Sequence, residues 1–478
     1  MKRAMAALAG LCIAFSAHAF DPLRVARDLP PPPSMNLTPM TDANGAPWAC
    51  PGPRDPASPE IHIEEVIRRA LCTDPRTRIA WAGIAARAAE RGQVRAEYLP
   101  RLDATLSRSR LDQRVTQGGA TLDSDVDTDA YRVELGWTLF DFGQRGARAD
   151  SAEQAMLAAL ASRDATLQQV FLDAATAYYN LLSAQGSLAV AEEVERINLQ
   201  GYLAADAKHA AAIGNLTEKL QTQTALGQAI LARVQAEGAL QEARGRLAVL
   251  IGLPPDTPLR LDEDDARLPD TSFVSAMTDM LQKAETRHPE LRNARARVEA
   301  ARAQLTATER AHLPSVRLSA SHQNQRIAPS TGGRSDQRDN LVALEVQIPL
   351  FDGFGRTYAT QAAEAALSEA EGQLEAARRQ VAQEVWLAFH ALQTGTRTVE
   401  KSAELLGFAT RSLEVAQGRY KAGIGGTLEL LEAQRALADA ARQRINALAD
   451  WRAVRLRLAA ALGRLGFWTL APAAANPS

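Results

Sequence analysis

The sequence predicts a mostly α-helical protein with a smaller β part, built from two copies of one large unit. The first observation behind this prediction is a repeat. Leu-Phe-Asp at 139–141 recurs at 350–352, and Arg-Leu-Ala at 246–248 recurs at 457–459, both at an offset of 211 residues. The second is two pairs of segments with alternating apolar and polar residues, and the third is two long helical segments. One offset held over more than a hundred residues indicates duplication of a large unit, not a small solenoid repeat.

The first 19 residues are predicted to be a signal peptide. Lys2 and Arg3 supply the positive start, residues 4–15 the apolar stretch, and Ala17-His18-Ala19 the small-residue cleavage site. The apolar stretch is too short to span a bilayer as a helix. A lipid anchor on Cys12 is the alternative, although Leu11 stands where lipid attachment requires a small residue. The mature chain is therefore expected to leave the cytoplasm.

A Pro-rich segment follows at residues 20–59 and is expected to be extended. It contains Cys50, and the first helical segment contains Cys72. An even number of cysteines in an exported chain predicts a Cys50–Cys72 disulfide, and two isolated thiols are the alternative.

The first unit is expected to occupy residues 60–252 and the second 274–463. The first opens with a helix from Ile61 to Tyr98, which Pro100 brings to an end. Each unit then has two strands with one apolar and one polar face, separated by a polar loop. The predicted strands are 101–111 and 130–140 in the first unit, with the loop at 112–129, and 315–326 and 340–350 in the second.

After each strand pair comes a segment of about 65 residues without proline, at 143–211 and 355–421. A helix of that length spans roughly 100 Å, more than a globular core requires. Apolar residues in the second segment recur every seven residues, as in a coiled coil: Val385, Leu392, Val399, Leu406, Leu413 and Tyr420. Turns containing Gly214, Gly425 and Gly426 lead into returning helices. Residues 253–273, acidic and Pro-containing, are interpreted as a linker or a surface insertion, and 464–478 as a C-terminal tail.

Strands with one apolar and one polar face suit a barrel wall with lipid outside and water inside. Four strands cannot close a barrel, and open strand edges are not tolerated in lipid. Eight strands leave an interior filled by side chains, so a channel requires at least three chains. The long helices would then extend the pore into the periplasm.

The order of elements carries a family resemblance. With Leu-Phe-Asp after each strand pair, and Tyr420-Lys421-Ala422-Gly423 before Leu431-Glu432-Ala433-Gln434, the chain resembles the TolC family of outer-membrane efflux proteins over about residues 60–465. The resemblance implies a homotrimer with a 12-stranded β-barrel, four strands from each chain, continued by a long α-helical coiled-coil tunnel in the periplasm. Cys50, Leu71-Cys72 and Asp74-Pro75 are most similar to members that serve type I protein secretion.

The resemblance also implies a gate at the periplasmic end. Its residues would be Thr217 and Glu218 in the first half, and Tyr420, Glu429 and Glu432 in the second. Gly425 stands where the best-known relatives have a gate arginine, so a tyrosine–arginine latch is not implied. Three-fold symmetry would place each carboxylate in a ring that favours cations. The alternative is that the three glutamates are ordinary solvated helix residues.

Enzymatic activity, a cofactor and a metal site have no support in the sequence. Histidines are scattered, Gly423–Gly426 lacks the Lys-Ser/Thr of a phosphate loop, and a net charge of −2 argues against nucleic-acid binding.

We therefore expect a passive channel-tunnel for a secreted protein. Its expected partners are a periplasmic adaptor protein and an inner-membrane transporter, an ABC transporter in type I secretion. Two alternatives stay open: the outer-membrane factor of a drug or metal efflux pump, with small-molecule cargo, and a periplasmic coiled-coil adaptor outside the membrane.

Overall fold

The computed structural model describes residues 60–261, 274, 276–329, 333–422, 424–466 and 469. The predicted signal peptide, the Pro-rich segment with Cys50, most of the C-terminal tail and most of the acidic part of the linker lie outside these residues. The chain divides into two compact units. These compact units are not the two sequence repeats. Among described residues, the first unit comprises 83–159 and 293–374, and the second comprises the remainder.

The two repeats contain the same order of elements. The first consists of strand β1 (Glu60–Ile61), helices α1 (Ile63–Thr73) and α2 (Pro75–Ala96), strands β2 (Arg101–Gln117) and β3 (Ala120–Phe140), and helices α3 (Gln144–Ala210) and α4 (Leu216–Leu250). The second consists of β4 (Arg260–Leu261), α5 (Met277–Arg287), α6 (Pro289–Arg310), β5 (Ser315–Pro329), β6 (Ser335–Gln347), α7 (Gly355–Lys421) and α8 (Thr427–Ala461).

The prediction of one continuous helix from Ile61 to Tyr98 is wrong, because the helix is interrupted at Asp74 and a second helix begins at Pro75. Pro75 occupies the first position of α2, where its missing N–H costs nothing. The Asp74 carboxylate accepts the backbone N–H of Arg76 at 2.8 Å and so caps the new helix. The second repeat breaks in the same way before Pro289, where His288 Nδ1 accepts the backbone N–H of Glu290 at 3.3 Å.

The first unit contains a four-stranded antiparallel sheet in the order β2-β3-β5-β6. Strands β2 and β6 form its edges. Most of the loop predicted at 112–129 is strand, which corrects that prediction: β2 and β3 are joined only by Gly118 and Gly119, both at positive φ (60° and 87°). Strand β5 likewise extends to Pro329, and β6 runs from Ser335 to Gln347 instead of 340–350.

The sheet has one apolar and one polar face, as the alternation predicts. One row across the four strands is apolar and consists of Leu102, Leu135, Ala320 and Val342. A row on the opposite face is polar and consists of Thr105, Arg132, Gln323 and Asp339. Leu102 is 67% exposed and Val342 76% exposed in the single chain. Among the described residues, none therefore covers the apolar face at the two edge strands.

The second unit contains the main hydrophobic core, in which Ile67, Phe171, Tyr178 and Val385 are completely buried. Part of the predicted linker belongs to this core. Arg260–Leu261 pair in parallel with Glu60–Ile61, and Leu259 and Leu261 are buried. The segment after Leu253 therefore ties the start of the first repeat to the second. Within the described ranges, none of the helices combines the length and apolar character that crossing a membrane requires.

Candidate functional site

The two hairpin turns in the second unit carry the predicted gate residues. Helix α3 ends at Ala210 and α4 begins at Leu216, while α7 ends at Lys421 and α8 begins at Thr427. In the first turn the N–H groups of Ile213 and Gly214 both donate to the Lys208 carbonyl at 3.0 Å. A Cβ on Gly214 would lie 2.8 Å from the Lys208 Cβ, so this close approach requires glycine. The turn therefore fixes Lys208 against the start of the returning helix.

The start of each returning helix is built differently. Asn215 precedes α4, and its side chain accepts the backbone N–H of Thr217 at 3.0 Å. This bond satisfies one of the free donors at the helix N-terminus. The Thr217 side chain is exposed, so Thr217 contributes to the turn through its backbone. Gly426 precedes α8 and provides no side-chain cap.

Tyr420, Glu218 and Lys208 form a contact between the two hairpins. The Tyr420 hydroxyl donates to Glu218 Oε1 at 2.6 Å. Lys208 Nζ donates to the same hydroxyl at 3.2 Å, lies 4.4 Å from the centre of the tyrosine ring, and is 3.7 Å from Glu218 Oε1. Each of the three residues therefore contacts the other two, and we call this set the tip triad.

The tip triad rests on a small apolar cluster formed by the second hairpin. The Tyr420 side chain packs against a cluster whose buried members are Leu413, Ala416, Leu430 and Ala433. Since α7 and α8 both contribute to this cluster, the tyrosine ring is held by its own hairpin while its hydroxyl extends to the other. The contact thus joins a fixed donor on one hairpin to a carboxylate on the other.

The charges of the tip triad stabilise one another. The Tyr420 hydrogen bond, and then Thr427 and Lys208, lower the pKa of Glu218 below its usual 4.5, against the opposing effect of partial burial. The hydrogen bond to Tyr420 raises the pKa of Lys208, and burial followed by the Glu218 bond raises that of Tyr420. At neutral pH the triad therefore consists of a carboxylate, an ammonium and a neutral phenol.

Glu429 and Glu432 are not part of the tip triad. Glu429 forms an ion pair with Arg419 at 3.0 Å within the second hairpin, and both side chains are about half exposed (45% and 48%). Glu432 lies one turn further along α8 and is exposed. Of the five predicted gate residues, the structure brings only Tyr420 and Glu218 into side-chain contact.

The sequence analysis does not include Lys208 among the predicted gate residues. The resemblance directed attention to the position of the absent arginine, Gly425, where a Cβ would lie 2.9 Å from the Arg419 Cβ. The repeat contained the missing signal, because Lys208 and Arg419 are separated by the same 211 residues as the other repeated motifs. Each is also six residues before the turn glycine of its hairpin.

The other predicted site residues add no second centre. Cys72 is disulfide-bonded, but Cys50 lies outside the described residues, so the Cys50–Cys72 pairing stays a prediction. Among the described residues, no three His, Cys, Asp or Glu side chains are grouped closely enough to hold a metal ion. The described arrangement at the hairpin tips consists of hydrogen bonds and ion pairs between helices.

The comparisons with known proteins agree with this fold. The family model described as outer membrane efflux protein matches residues 66–253 and 280–464. Protein CyaE of Bordetella pertussis is 32% identical over 423 residues, covering 88% of each chain. The alkaline protease secretion protein AprF of Pseudomonas aeruginosa is 24% identical over 416 residues, covering 85% of each chain.

Among solved structures, the outer membrane protein VceC of Vibrio cholerae superposes with a TM-score of 0.70 at 22% identity. The match covers 85% of this chain and 96% of VceC. At that identity the likeness establishes the fold: strands and long helices in the same arrangement. Together with the family match across both repeats and the relative at 32% identity, these findings show that the chain belongs to the outer membrane efflux protein family, the TolC family of outer-membrane channels.

Proposed function

We propose that three copies of this chain form a passive outer-membrane channel for secreted protein. The observation that carries the proposal is the four-stranded sheet. It exposes apolar side chains on one face, and its edge strands β2 and β6 have no partner strand among the described residues. A lipid bilayer accepts such a sheet only as part of a closed barrel, because unpaired backbone groups are costly in hydrocarbon. Twelve strands from three chains would give a closed wall with a polar interior.

The relatives support protein as the cargo. AprF is named for the secretion of alkaline protease, and it matches this chain over most of its length. Family members work with a periplasmic adaptor and an inner-membrane transporter. We propose the same three-part assembly here, with an ABC transporter as the energy source. The chain itself would supply only the conduit.

The tip triad would hold the helix hairpins of one chain together in the closed channel. Tyr420 and Glu218 supply the contact. Lys208 supplies the positive charge that an arginine supplies in relatives, at the position where this chain has Gly425. Thr217 would act through the helix start, and Glu429 and Glu432 would line the throat as carboxylates. This assignment rests on the contacts between Lys208, Glu218 and Tyr420 at distances of 2.6–3.7 Å.

Deleting the gene in the source bacterium tests the cargo. We expect one or a few proteins to disappear from the culture medium, and a plasmid copy of the gene to restore them. Susceptibility to drugs and metal ions is measured in the same strains. An unchanged set of secreted proteins, together with raised drug or metal sensitivity, would contradict the secretion assignment and favour the efflux alternative.

A further inference from the structure

The two helix hairpins of the chain are close copies of each other. Helices α3 and α7 each contain 67 residues, and α4 and α8 each contain 35. The offset of 211 residues that relates the sequence motifs also relates the bounds of both long helices and both returning helices. Residues 211 apart can therefore be compared as equivalent positions.

The equivalence extends to the turns. Ile424 and Gly425 donate to the Arg419 carbonyl at 3.1 and 3.0 Å, just as Ile213 and Gly214 donate to Lys208. The turn glycines make the same close approach, since a Cβ on Gly425 would lie 2.9 Å from the Arg419 Cβ. The two tips therefore share one backbone arrangement.

An ion pair is also repeated. Lys208 lies 3.7 Å from Glu218 in the first hairpin, and Arg419 lies 3.0 Å from Glu429 in the second. In each hairpin the basic residue belongs to the last turn of the long helix and the acid to the first turn of the returning helix. Each tip therefore presents a basic–acidic pair of the same construction.

The tips differ in what contacts the ion pair: in the single chain, Tyr420 of the other hairpin contacts the pair of the first hairpin, and the pair of the second hairpin has no equivalent tyrosine beside it among the described residues. Tyr420, next to Arg419 at the end of α7, donates to Glu218 of the first hairpin. The position equivalent to Tyr420 in the first hairpin is His209, 211 residues earlier and next to Lys208. His209 is partly exposed, and the Arg419–Glu429 pair is about half exposed.

A closed ring of three chains has two kinds of contact between hairpins. Within a chain, the second hairpin contacts the first through Tyr420. Between chains, the first hairpin of one copy must contact the second hairpin of the next, because the two alternate around the ring. Because the hairpins are equivalent, the residue facing the neighbour's ion pair is the one equivalent to Tyr420.

We propose that His209 docks on the Arg419–Glu429 pair of the next chain and forms the contact between chains at the tips. An imidazole N–H donates to a carboxylate as a phenol does, so His209 can donate to Glu429 while the Arg419 guanidinium stays beside both. The proposal rests on the trimer of the proposed function. The tips of the trimer then contain six contacts of two alternating types, one through Tyr420 and one through His209.

Cysteine cross-linking distinguishes the two types of contact. His209→Cys with Glu429→Cys, treated in membranes with a short bifunctional maleimide that spans the length of the replaced side chains, should give species of two and three covalently joined chains on a denaturing, non-reducing gel. The matched pair Tyr420→Cys with Glu218→Cys should cross-link inside one chain and give no such species. Each single substitution alone serves as the background control, and native mass is measured first for every variant.

The outcomes separate the inference from the proposed function. If the mass shows no trimer, the channel proposal fails and the inference fails with it. If the trimer forms but His209→Cys with Glu429→Cys leaves single chains under conditions that cross-link the control pair, only the inference is overturned. A second variant is independent of cysteine: His209→Tyr, which copies Tyr420, should lower the open probability of the channel in planar bilayers, and an unchanged or higher open probability contradicts the proposal.

Discussion

At the residue scale, the Tyr420 hydroxyl is the atom that joins the two hairpins of one chain. It donates to Glu218 and accepts from Lys208, while its ring stays packed on the apolar cluster of its own hairpin. Two charged neighbours on one neutral hydroxyl make a stronger contact than either pair alone. Removing that oxygen alone therefore tests the tip triad without creating a cavity.

We expect Tyr420→Phe to loosen the tips by about 1 kcal/mol, because a hydrogen bond to a charged partner is lost at a partly exposed site. For each of the three chains, that energy corresponds to roughly a fivefold higher open-to-closed ratio, and the change is measured as open probability in planar bilayers. Lys208→Met should act in the same direction with a smaller effect, since the Lys208 side chain is 41% exposed. Lys208→Arg should keep the closed state.

Tyr358→Phe is the matched control, since Tyr358 is 67% exposed and lies in the other compact unit. It should leave the open probability unchanged. Equal effects of the two phenylalanine variants would mean that the Tyr420 hydroxyl has no special role.

Acid should also open the tips through Glu218. Because the pKa of Glu218 is lowered below 4.5 in the folded chain, its stabilisation is fully present above pH 4.5. It is lost as the pH falls below 4.5 through the lowered value. Open probability in the wild-type channel should rise over that acidic range, and Glu218→Gln should be open already at neutral pH and lose this dependence. A Glu218→Gln channel with the wild-type acid response would assign that response to other carboxylates.

The gate residues could be predicted only in part from the sequence. Glu218 and Tyr420 were predicted from the family pattern, and they are in contact. Lys208 was missed because the pattern gives a position for the cation, Gly425, and no rule for a replacement. The contact depends on how two hairpins 200 residues apart in sequence lie beside each other, which no local pattern contains.

At the element scale, the turns differ in how the returning helix begins. Asn215 caps α4 through its side chain, and the equivalent residue before α8 is Gly426, which has no side chain to do so. The backbone angles are nearly the same: φ −87° and ψ 139° at Asn215, φ −85° and ψ 153° at Gly426. A Cβ on Gly426 would meet nothing within 4 Å. Asparagine therefore fits at residue 426 without strain.

We expect Gly426→Asn to stabilise the start of α8 by about 1 kcal/mol, the usual contribution of such a cap. Slower hydrogen exchange of the first turn of α8 would measure it. Gly425→Asn is the matched control one residue earlier. It should destabilise the turn, because its Cβ would lie 3.0 Å from the Arg419 backbone. Faster exchange in both variants would contradict the capping argument.

Most elements could be predicted from periodicity, and the errors share a physical cause. The predicted loop at 112–129 is strand because polar residues there pair across the sheet, as Asp125 does with Arg110 of the neighbouring strand at 3.3 Å. Polarity was taken as a sign of a loop, although strands beyond an apolar band can be polar on both faces. The break before Pro75 was missed because helical periodicity continues on both sides of it.

At the scale of the whole molecule, the open edges of the sheet require other copies. Within the described part of the chain, strands β2 and β6 are each paired on one side only. Three copies close twelve strands, whereas two copies give eight and leave no open channel. We expect a trimer by native mass measurement of detergent-extracted protein, with unfolding on heating that converts the trimer to single chains on a gel. A monomer or a dimer would contradict the barrel argument.

Ion selectivity should follow the total charge that the trimer places at the tips. The tip of the second hairpin contributes Arg419 and Lys421 with Glu429 and Glu432, so these four side chains have no net charge per chain. Arg435, three residues after Glu432, remains charged, and it is directed to the first hairpin, where it donates to Gln228 Oε1 at 3.0 Å. Each substitution is repeated three times in a narrow throat, so one side chain changes the charge of the ring by three units.

We expect cation selectivity, measured as reversal potential in a salt gradient, to be highest in Arg419→Gln. It should then fall from wild type to Glu432→Gln, and be lowest in the double variant Glu429→Gln with Glu432→Gln. The first variant makes the ring more negative, and the last makes it positive and should favour anions. High salt should compress all four values, because screening shortens the range of each charge to a few ångströms. Unchanged reversal potentials in variants that still form heat-modifiable trimers would mean that these carboxylates face bulk solvent and that the selective constriction lies at other residues.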